Sequence, residues 1–379
     1  ALFAAGVATI IQTVGYKNIG ARLPIIQGTS FAFIPIMLPF KAFGLGAIFT
    51  AAFIGGIFQI WIGKMLKPIR HMFPPLVTGI VVLMIGISLL KVGFKYAGGG
   101  VWLMNNKPEV FANWEHLLIA GTVLIVALLC NLRGKGMISS ASILLGIIAG
   151  FIMAALLGQI SWGKIAAADW FALPMPFQYG IDFVWGAVIL MLFMSIVTTI
   201  ETIGDISATT MGGANREATN KELSGGIMAD GVGTAFASIF NAMPNTSYSQ
   251  NAGLVAFTGV ISRHVGTVAG VILILLGLFP KLGGIIAAMP DSVIGGAAII
   301  MFGLIAGAGI KLISKSEMSQ RNILILALSL SFGIGLYAFP EFVAHIPDFG
   351  IKLKLLLTTG LIPAGLLAFV LNATLPTKK

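Results

Sequence analysis

Long apolar stretches alternate with short polar gaps along almost the whole chain. An apolar run of roughly 20 residues can cross a lipid bilayer as a helix. The pattern predicts an all-α polytopic membrane protein with thirteen spans, at residues 1–15, 25–40, 45–63, 75–94, 115–132, 141–158, 182–200, 225–243, 249–261, 266–288, 292–313, 322–338 and 353–373. Two spans, 25–40 and 249–261, are short and are interrupted by polar residues and proline. They are predicted to be broken helices that contain extended segments.

The basic residues in the gaps sort to one side of the predicted membrane. When alternate gaps are counted, fifteen of the 23 Lys and Arg residues, including every arginine, fall on the same side. Cytoplasmic loops carry the excess of Lys and Arg, so this side is predicted to face the cytoplasm. A missing or extra span would scramble the sorting. The pattern therefore supports thirteen spans and a multi-pass location in the cell inner (plasma) membrane.

A short internal repeat relates the two broken spans. The triplet Thr29-Ser30-Phe31 matches Thr246-Ser247-Tyr248 at an offset of 217 residues. The same offset matches residues of two further spans, pairing Gly79, Met84 and Gly86 with Gly296, Met301 and Gly303. Seven spans separate the copies, so the second copy is inverted relative to the first. The repeat predicts inverted halves whose broken segments face each other near the membrane midplane; coincidence among abundant Gly, Thr and Ser is the alternative.

Composition agrees with a membrane protein. Only 9% of the 379 residues are charged, 57% are hydrophobic, and the mean hydropathy is +0.99, far from the values of a soluble domain. The net charge of +10 lies in short gaps between apolar runs, which is typical of membrane topology and not of nucleic-acid binding. A single cysteine, Cys130, excludes an internal disulfide and a cysteine metal cluster, and no metal site is predicted. The chain begins at Ala1 inside an apolar run, which predicts no signal peptide and at least one further helix upstream.

Three carboxylates lie in or beside apolar spans. Ionisable side chains there cost roughly 2.5 to 3.5 kcal/mol and are usually functional. Glu201 and Asp205 follow the run that ends at Ile200 and, being four residues apart, share one helical face, whereas Asp230 lies within span 225–243. Two like charges that close favour proton binding at one of them. A carboxylate pair at a water-exposed helix end is the alternative for Glu201 and Asp205.

The second candidate feature is the polar string NTSYSQNAG at residues 245–253, directly after Pro244. Its polar groups would be unsatisfied in lipid, so the string is predicted to line a cavity as extended backbone that leads into a half-helix starting near Gln250. The segment 28–33 between Pro24 and Pro35 is predicted to do the same from the other half. A helix start offers free N–H groups to an electron-rich ligand.

These features together favour a heterocycle as ligand. Glu201 can accept from the N–H edge of a planar base, and the Gln250 amide can both donate to and accept from a purine. Phe31 can stack on the ring, with ordinary core packing as the alternative for Phe31 and Phe33. No buried Lys or Arg is available to hold a fixed anion, which argues against sulfate, carbonate or a dicarboxylate as substrate.

The residues from 250 to 259 resemble the signature of the nucleobase/ascorbate transporters, the type 2 nucleobase:cation symporters. The matching residues are Gln250, Asn251, Gly253, Thr258 and Gly259. The stretch from Glu201 to Asp205 resembles the helix that precedes the signature in this family. The resemblance covers essentially the whole chain and implies a transporter fold of seven plus seven inverted spans, with about thirteen of the fourteen present here.

The resemblance also implies a role for each candidate residue. Substrate would be bound by Glu201, Gln250, Phe31, Ser30 and Ser249. Protons would be coupled by Asp230, Asp205 and Glu201. Asn251, Gly253 and Thr258 would shape the half-helix. Glutamine at position 250 resembles bacterial and fungal xanthine and uric acid carriers, since uracil carriers commonly have Glu at this place.

The resulting prediction is proton-coupled symport of a purine base, xanthine or uric acid or both, by an elevator movement. Residues 1–100 and 181–315 are predicted to form a core domain, and residues 101–180 and 316–379 a gate domain through which a homodimer forms. The proton gradient is the energy source, no cofactor is predicted, and lipid bilayer, protons and purine are the predicted partners. The alternatives are a symporter of uracil or another base, an inorganic-anion exchanger of the same fold, and an intramembrane enzyme, for which the chain offers no nucleophile or metal set.

Overall fold

The computed structural model describes residues 1–65, 74–343, 345 and 353–376 of the chain. The chain forms two compact units. Unit 1 contains Ala1–Met84, Leu173–Leu278 and Gly309–Lys379, and unit 2 contains Ile85–Ala172 and Phe279–Ala308. This division differs in its boundaries from the predicted core and gate domains. Those domains are defined by movement, so that prediction is neither confirmed nor excluded.

The described elements are almost all helical, as the hydropathy pattern predicts. In the first part of the chain they are α1 (Leu2–Val14), β1 (Gln27–Thr29), α2 (Ile34–Met37), α3 (Leu45–Lys64), α4 (Pro75–Ala97), α5 (Val101–Asn106), α6 (Trp114–Arg133), α7 (Met137–Ser140), α8 (Ser142–Leu156) and α9 (Trp162–Ala167). In the second part they are α10 (Trp185–Ala214), α11 (Asn220–Ile239), β2 (Asn245–Ser247), α12 (Ser249–Thr258), α13 (Arg263–Gly277), α14 (Pro280–Ala288), α15 (Asp291–Ile313), α16 (Gln320–Ala338), α17 (Leu353–Thr358) and α18 (Leu361–Thr374).

Both broken spans contain the short extended segment that the polar pattern predicts. In unit 1 the strands β1 and β2 pair antiparallel, with Gln27 opposite Ser247 and Thr29 opposite Asn245. The second strand leads into α12, a regular helix that begins at Ser249. The first strand is followed by 3₁₀ turns at Phe31–Phe33 and Leu38–Phe43 around the single turn α2. Residues 35 and 39 are prolines without a backbone N–H, which prevents a regular helix in this copy.

Glycines set the closest helix contacts of unit 1. A Cβ atom added to Gly6 of α1 would lie 2.5 Å from the backbone oxygen of Gly270 in α13. In the same way, a Cβ atom on Gly231 of α11 would lie 2.6 Å from the backbone oxygen of Gly56 in α3. Only glycine permits so close an approach of two helix backbones, which in lipid replaces hydrophobic burial as a source of packing energy.

Unit 2 packs α6 against α8 and α15 around small and β-branched residues. Its core includes Ile119, Val123, Ala154, Val293 and Ala297, each at most 1% exposed. Outer faces remain apolar and exposed, for example Leu128 and Leu132 of α6. An exposed apolar face of this kind is expected where lipid covers the protein.

Three predicted spans differ from the helices of the structure, one in its end and two by being divided. The span predicted at 182–200 is the 30-residue helix α10, which continues to Ala214. A prediction from hydropathy places the end of a span where polar residues begin. In α10, however, polar side chains form hydrogen bonds within the protein. Ser207, for example, donates to the carbonyl of Ile203 at 2.7 Å. The span predicted at 266–288 is divided before Pro280 into α13 and α14. The span predicted at 353–373 is divided at Gly360, whose φ of +68° is unfavourable for other residues.

Six described helices, α3, α4, α6, α10, α15 and α16, are long and apolar enough to cross a membrane, or up to seven when α13 and α14 count as one broken span. The chain is therefore a multi-pass membrane protein. The predicted span 225–243 corresponds to the 20-residue helix α11, and the other remaining spans correspond to shorter or broken helices, so the number thirteen stays a prediction.

Candidate functional site

Two threonines fix the paired strands of unit 1 to neighbouring helices. Thr9 of α1 bonds both sides of one residue of β1, since its hydroxyl donates to the Gln27 carbonyl at 3.3 Å and accepts from the Gln27 N–H at 3.0 Å. Thr234 of α11 does the same for β2, donating to the Asn245 carbonyl at 3.0 Å and accepting from the Asn245 N–H at 3.2 Å. In a two-stranded sheet each strand has only one neighbour, so some backbone N–H and C=O groups have no strand partner. The two threonine hydroxyls satisfy such groups of Gln27 and Asn245.

Asp230 lies in the middle of α11, beside the strand pair, and is fully buried. Its carboxylate accepts hydrogen bonds from the Gln27 amide of β1 and the Thr202 hydroxyl of α10. From β2, Ser247 donates its hydroxyl at 3.1 Å and its backbone N–H at 3.3 Å. The lone pairs of this buried carboxylate are thus occupied by donors from three different elements, and this satisfies the group without a basic partner.

The other two predicted carboxylates lie together on α10. Because α10 is continuous through this stretch, Glu201 and Asp205 share one helical face, as predicted. They do not lie at a helix end: the helix continues past Asp205 to Ala214, and Asp205 is only 6% exposed. Glu201 is partly exposed, and no described side chain donates a hydrogen bond to it. It is close enough to Asp230 for the two carboxylates to interact electrostatically.

The predicted motif residues stabilise the start and the end of α12. The Asn251 amide donates to the carbonyl of Pro24 at 2.5 Å, which ties the first turn of α12 to the chain just before β1. At the other end, the Thr258 hydroxyl donates to the Leu254 carbonyl at 2.9 Å, and Gly259 ends the helix with a left-handed φ of +68°. Gly253 lies inside α12.

Ser30 follows β1 and is buried. Its N–H donates to the carbonyl of Pro244 at 3.0 Å, and its hydroxyl accepts from the N–H of Ala32 at 3.2 Å. The backbone of Ser249 begins α12, Gln250 follows in the first turn, and Phe31 begins the 3₁₀ turn after β1. The side chains of Phe31, Ser249 and Gln250 lie outside the described part of the structure.

Three polar residues of this site were not predicted from the sequence. Gln27, Thr202 and Ser247 all bond Asp230, yet each is an uncharged residue in a segment rich in Thr, Ser and Gln. A usable signal existed for Thr202, which lies inside the E-T-I-G-D stretch, and for Ser247, which belongs to the repeat. Among the described residues, no three His, Cys, Asp or Glu side chains lie together as metal ligands would.

The fold is similar to that of solved anion transporters. The structure matches the transmembrane domain of a cyanobacterial bicarbonate transporter, BicA, with a TM-score of 0.56 at 16% identity, over 98% of this chain and 89% of that one. It matches SLC26A9 with a TM-score of 0.61 at 15% identity, over 87% of this chain and 57% of that one. Likeness at such low identity shows a shared fold only. Discontinuous helices of this kind occur in many secondary transporters.

Sequence comparison then identifies the family. The family model Xan_ur_permease, described as a permease family, matches residues 1–342, and the chain belongs to this family of transporters, which are not enzymes. The chain is 38% identical to a putative purine permease of Clostridium perfringens over 99% of this chain and 81% of that protein. It is 34% identical to the xanthine permease XanP of Escherichia coli, covering 100% and 84% of the two chains, and 34% identical to the uric acid permease PucJ of Bacillus subtilis, covering 98% and 82%. The protein is thus a multi-pass permease of the inner membrane, as predicted.

Proposed function

We propose that this permease carries out proton-coupled symport of a purine base, xanthine or uric acid or both. The observation that carries the proposal is similarity over at least 98% of the chain to permeases named for a purine, for xanthine and for uric acid. The resemblance of the signature at residues 250–259 supports the same substrate class.

In this proposal the base binds between α10 and the start of α12. Glu201 accepts from the N–H edge of the base, which is consistent with a partly exposed carboxylate that has no described donor. Gln250 in the first turn of α12 forms the amide contacts, and Phe31 stacks on the ring. Ser30 and Ser249 contribute backbone contacts, since each follows one of the paired strands.

Proton coupling is assigned to Asp230, Asp205 and Glu201. Two of them, Glu201 and Asp205, lie one turn apart on α10, and Asp230 faces the same helix through Thr202. Binding of a proton to such a group of like charges relieves their repulsion, and this is the physical basis for the coupling. The same group of acids would then sense both substrate and proton.

We further infer an inverted repeat of seven plus seven spans. The repeat relates Gly28 to position 245 and Thr246 to position 29. It therefore turns the strand pair Gly28–Thr246 into the pair Thr29–Asn245, and both pairs are present in the sheet. The helix contacts follow the same rule, because the offset relates α1 to α11 and α3 to α13, and α1 packs on α13 whereas α11 packs on α3. An elevator movement of the core domain against the gate domain, in a homodimer, completes the proposed mechanism.

Uptake into proteoliposomes tests the proposal. Labelled xanthine, uric acid, uracil and sulfate are offered to the purified protein at inside pH 7, with outside pH varied and with or without a protonophore. The expected result is uptake of xanthine or uric acid that rises at acidic outside pH and collapses with the protonophore. Uptake of sulfate alone would identify an anion exchanger, and uptake of uracil alone a different base carrier.

Gln250→Glu tests the purine assignment at one residue. The change replaces an amide donor by a second carboxylate near Glu201, so the affinity for xanthine is expected to fall roughly tenfold or more. The measurement is the concentration dependence of xanthine uptake, with membrane abundance as control. Unchanged affinity would show that Gln250 is not a direct ligand.

A further inference from the structure

The hydrogen bonds around Asp230 are of two chemical kinds. The side-chain NH₂ group of Gln27 and the backbone N–H of Ser247 both donate to Asp230, so they favour an ionised carboxylate. The hydroxyls of Thr202 and Ser247 can either donate or accept. If Asp230 takes up a proton, that proton needs an acceptor, because an unsatisfied buried donor costs about 1 to 3 kcal/mol.

Thr202 has a second acceptor for its own hydrogen. Its hydroxyl oxygen lies 2.9 Å from the carbonyl of Thr198, one turn earlier in α10, as well as within hydrogen-bond distance of the Asp230 carboxylate. A hydroxyl has one hydrogen, so at any moment Thr202 donates to only one of the two. Both choices are therefore built into the same geometry.

The Ser247 hydroxyl lacks this freedom. It receives a weak hydrogen bond from the Gln12 amide at 3.5 Å, and among the described residues its hydrogen has no acceptor other than Asp230. If Ser247 accepted a hydrogen bond from protonated Asp230, its own hydroxyl hydrogen would be left without an acceptor. Of the two hydroxyls, Thr202 is the one that suits both charge states.

We infer that Thr202 is a positioning residue for the proton on Asp230, acting as a two-state hydroxyl. In the ionised state Thr202 donates to the Asp230 atom Oδ2. In the protonated state Oδ2 carries the proton and donates to Thr202 Oγ1, while the Thr202 hydrogen rotates to the carbonyl of Thr198. Asp230 gains one proton, no covalent bond of Thr202 breaks, and in both states the Thr202 hydroxyl and Asp230 Oδ2 keep a hydrogen-bond partner. The inference rests on the proposed proton coupling.

Few other titratable groups face this site. On the described elements packed around Asp230, they are Glu201 and Asp205 on α10, Lys221 and Glu222 at the start of α11, Lys64 at the end of α3, and Tyr248 after β2. Lys221 and Glu222 lie more than one helical turn from Asp230 along α11, and Lys64 closes α3. Glu201 is the one whose charge interacts with that of Asp230.

Thr210 offers a matched control on the same helix. Thr202 and Thr210 are both fully buried, and each donates to the carbonyl four residues earlier, at 2.9 and 3.1 Å. Of the two, only Thr202 also contacts a carboxylate. Replacing either by valine removes a hydroxyl and keeps the side-chain shape, so the pair separates loss of a helix hydrogen bond from loss of the contact to Asp230.

The experiment measures the pH dependence of xanthine uptake in proteoliposomes for the unchanged protein and for Thr202→Val, Thr202→Ser and Thr210→Val. Thr202→Val removes a hydrogen bond to Asp230 in both charge states, and the bond to the charged carboxylate is the stronger one, by an amount worth about one pH unit in proton affinity. We expect Thr202→Val to move half-maximal uptake by about one unit to higher pH. Thr202→Ser should restore the original pH, Thr210→Val should not change it, and stabilisation of the purified variants by xanthine should persist in all of them.

An unchanged pH profile in Thr202→Val would overturn the inference, and so would an equal shift in Thr210→Val. If Thr202→Val does not accumulate in the membrane, Thr202→Ala is measured in the same assay with the same expectation. Failure of the proposed function is recognised separately, because the unchanged protein would then show no xanthine uptake or none that depends on pH. If uptake by the unchanged protein depends on pH and Thr202→Val shows the same pH profile, the proposed function stands and only the inference about Thr202 is rejected.

Discussion

The surroundings of Asp230 and of Glu201 differ although both lie in unit 1. Asp230 is fully buried and receives hydrogen bonds from β1, β2 and α10. Glu201 is partly exposed, and no described side chain donates to it. A carboxylate saturated by protein donors holds structure together, whereas one with unused lone pairs is available to a ligand. Asp230 thus links β1, β2 and α10 in addition to its proposed role in proton coupling, whereas Glu201 suits the role in substrate recognition that we propose for it.

The largest expected effect on this comparison is a loss of stability in Asp230→Ala. The change leaves the donors of Gln27 and Ser247 without their acceptor and restricts the Thr202 hydroxyl to the Thr198 carbonyl, which is expected to cost roughly 3 kcal/mol or more. The measurement is thermal unfolding of the detergent-purified protein. Glu201→Ala serves as the control, and equal losses in the two variants would remove the distinction between the two carboxylates.

Glu201→Gln should act on transport and leave stability nearly unchanged. Losing the charged acceptor is expected to weaken xanthine binding about ten- to a hundredfold. Xanthine-dependent thermal stabilisation reports binding, and uptake with and without a protonophore reports coupling. Full proton-driven uptake in this variant would exclude Glu201 from both roles.

Asn251→Ala tests whether the start of α12 is held in place from the other half. Without the Asn251 amide, the Pro24 carbonyl loses a donor at 2.5 Å, and the free energy of unfolding is expected to fall by about 1 kcal/mol. Xanthine binding should also weaken, because Gln250 directly precedes Asn251. Asn106→Ala is the control, since Asn106 is exposed and donates to the Trp102 carbonyl within a short helix of unit 2. An equal loss in both variants would show that the bond to Pro24 contributes nothing specific.

The smallest effect concerns an accessible carboxylate at the start of α11. Glu222 forms a capping box with Thr219 and an ion pair with Arg216 at 2.5 Å, and the hydrogen bond from Arg216 lowers the pKa of Glu222 from 4.5 to about 2. A lowered pKa stabilises the fold above about pH 4.5, and this contribution is lost as pH falls toward about 2. Arg216→Gln should therefore reduce stability slightly at neutral pH and flatten its decline on acidification. Thermal unfolding across this pH range checks the result, and parallel curves would contradict it.

Local sequence patterns were sufficient for much of the fold. Apolar stretches predicted helices within a few residues for α3, α6 and α16, and the proline-bounded polar strings predicted the extended segments at β1 and β2. Hydropathy was wrong where a helix continues through polar residues, as α10 does beyond Ile200, because composition does not show which polar side chains bond inside the protein. It also missed the break before Pro280, since the apolar run continues on both sides.

The sequence by itself determined the membrane class, the position of the broken spans and the three carboxylates that we propose to act in transport, because hydropathy, helix-breaking residues and the cost of burying charge are local properties. Only the tertiary structure decided that Asp230 is tied to Gln27, 203 residues away, and to Thr202, while no described side chain donates to Glu201. Hydrogen bonds between such distant residues depend on how the helices and strands pack. The pattern of residues along the chain does not indicate which donors the fold brings to each carboxylate.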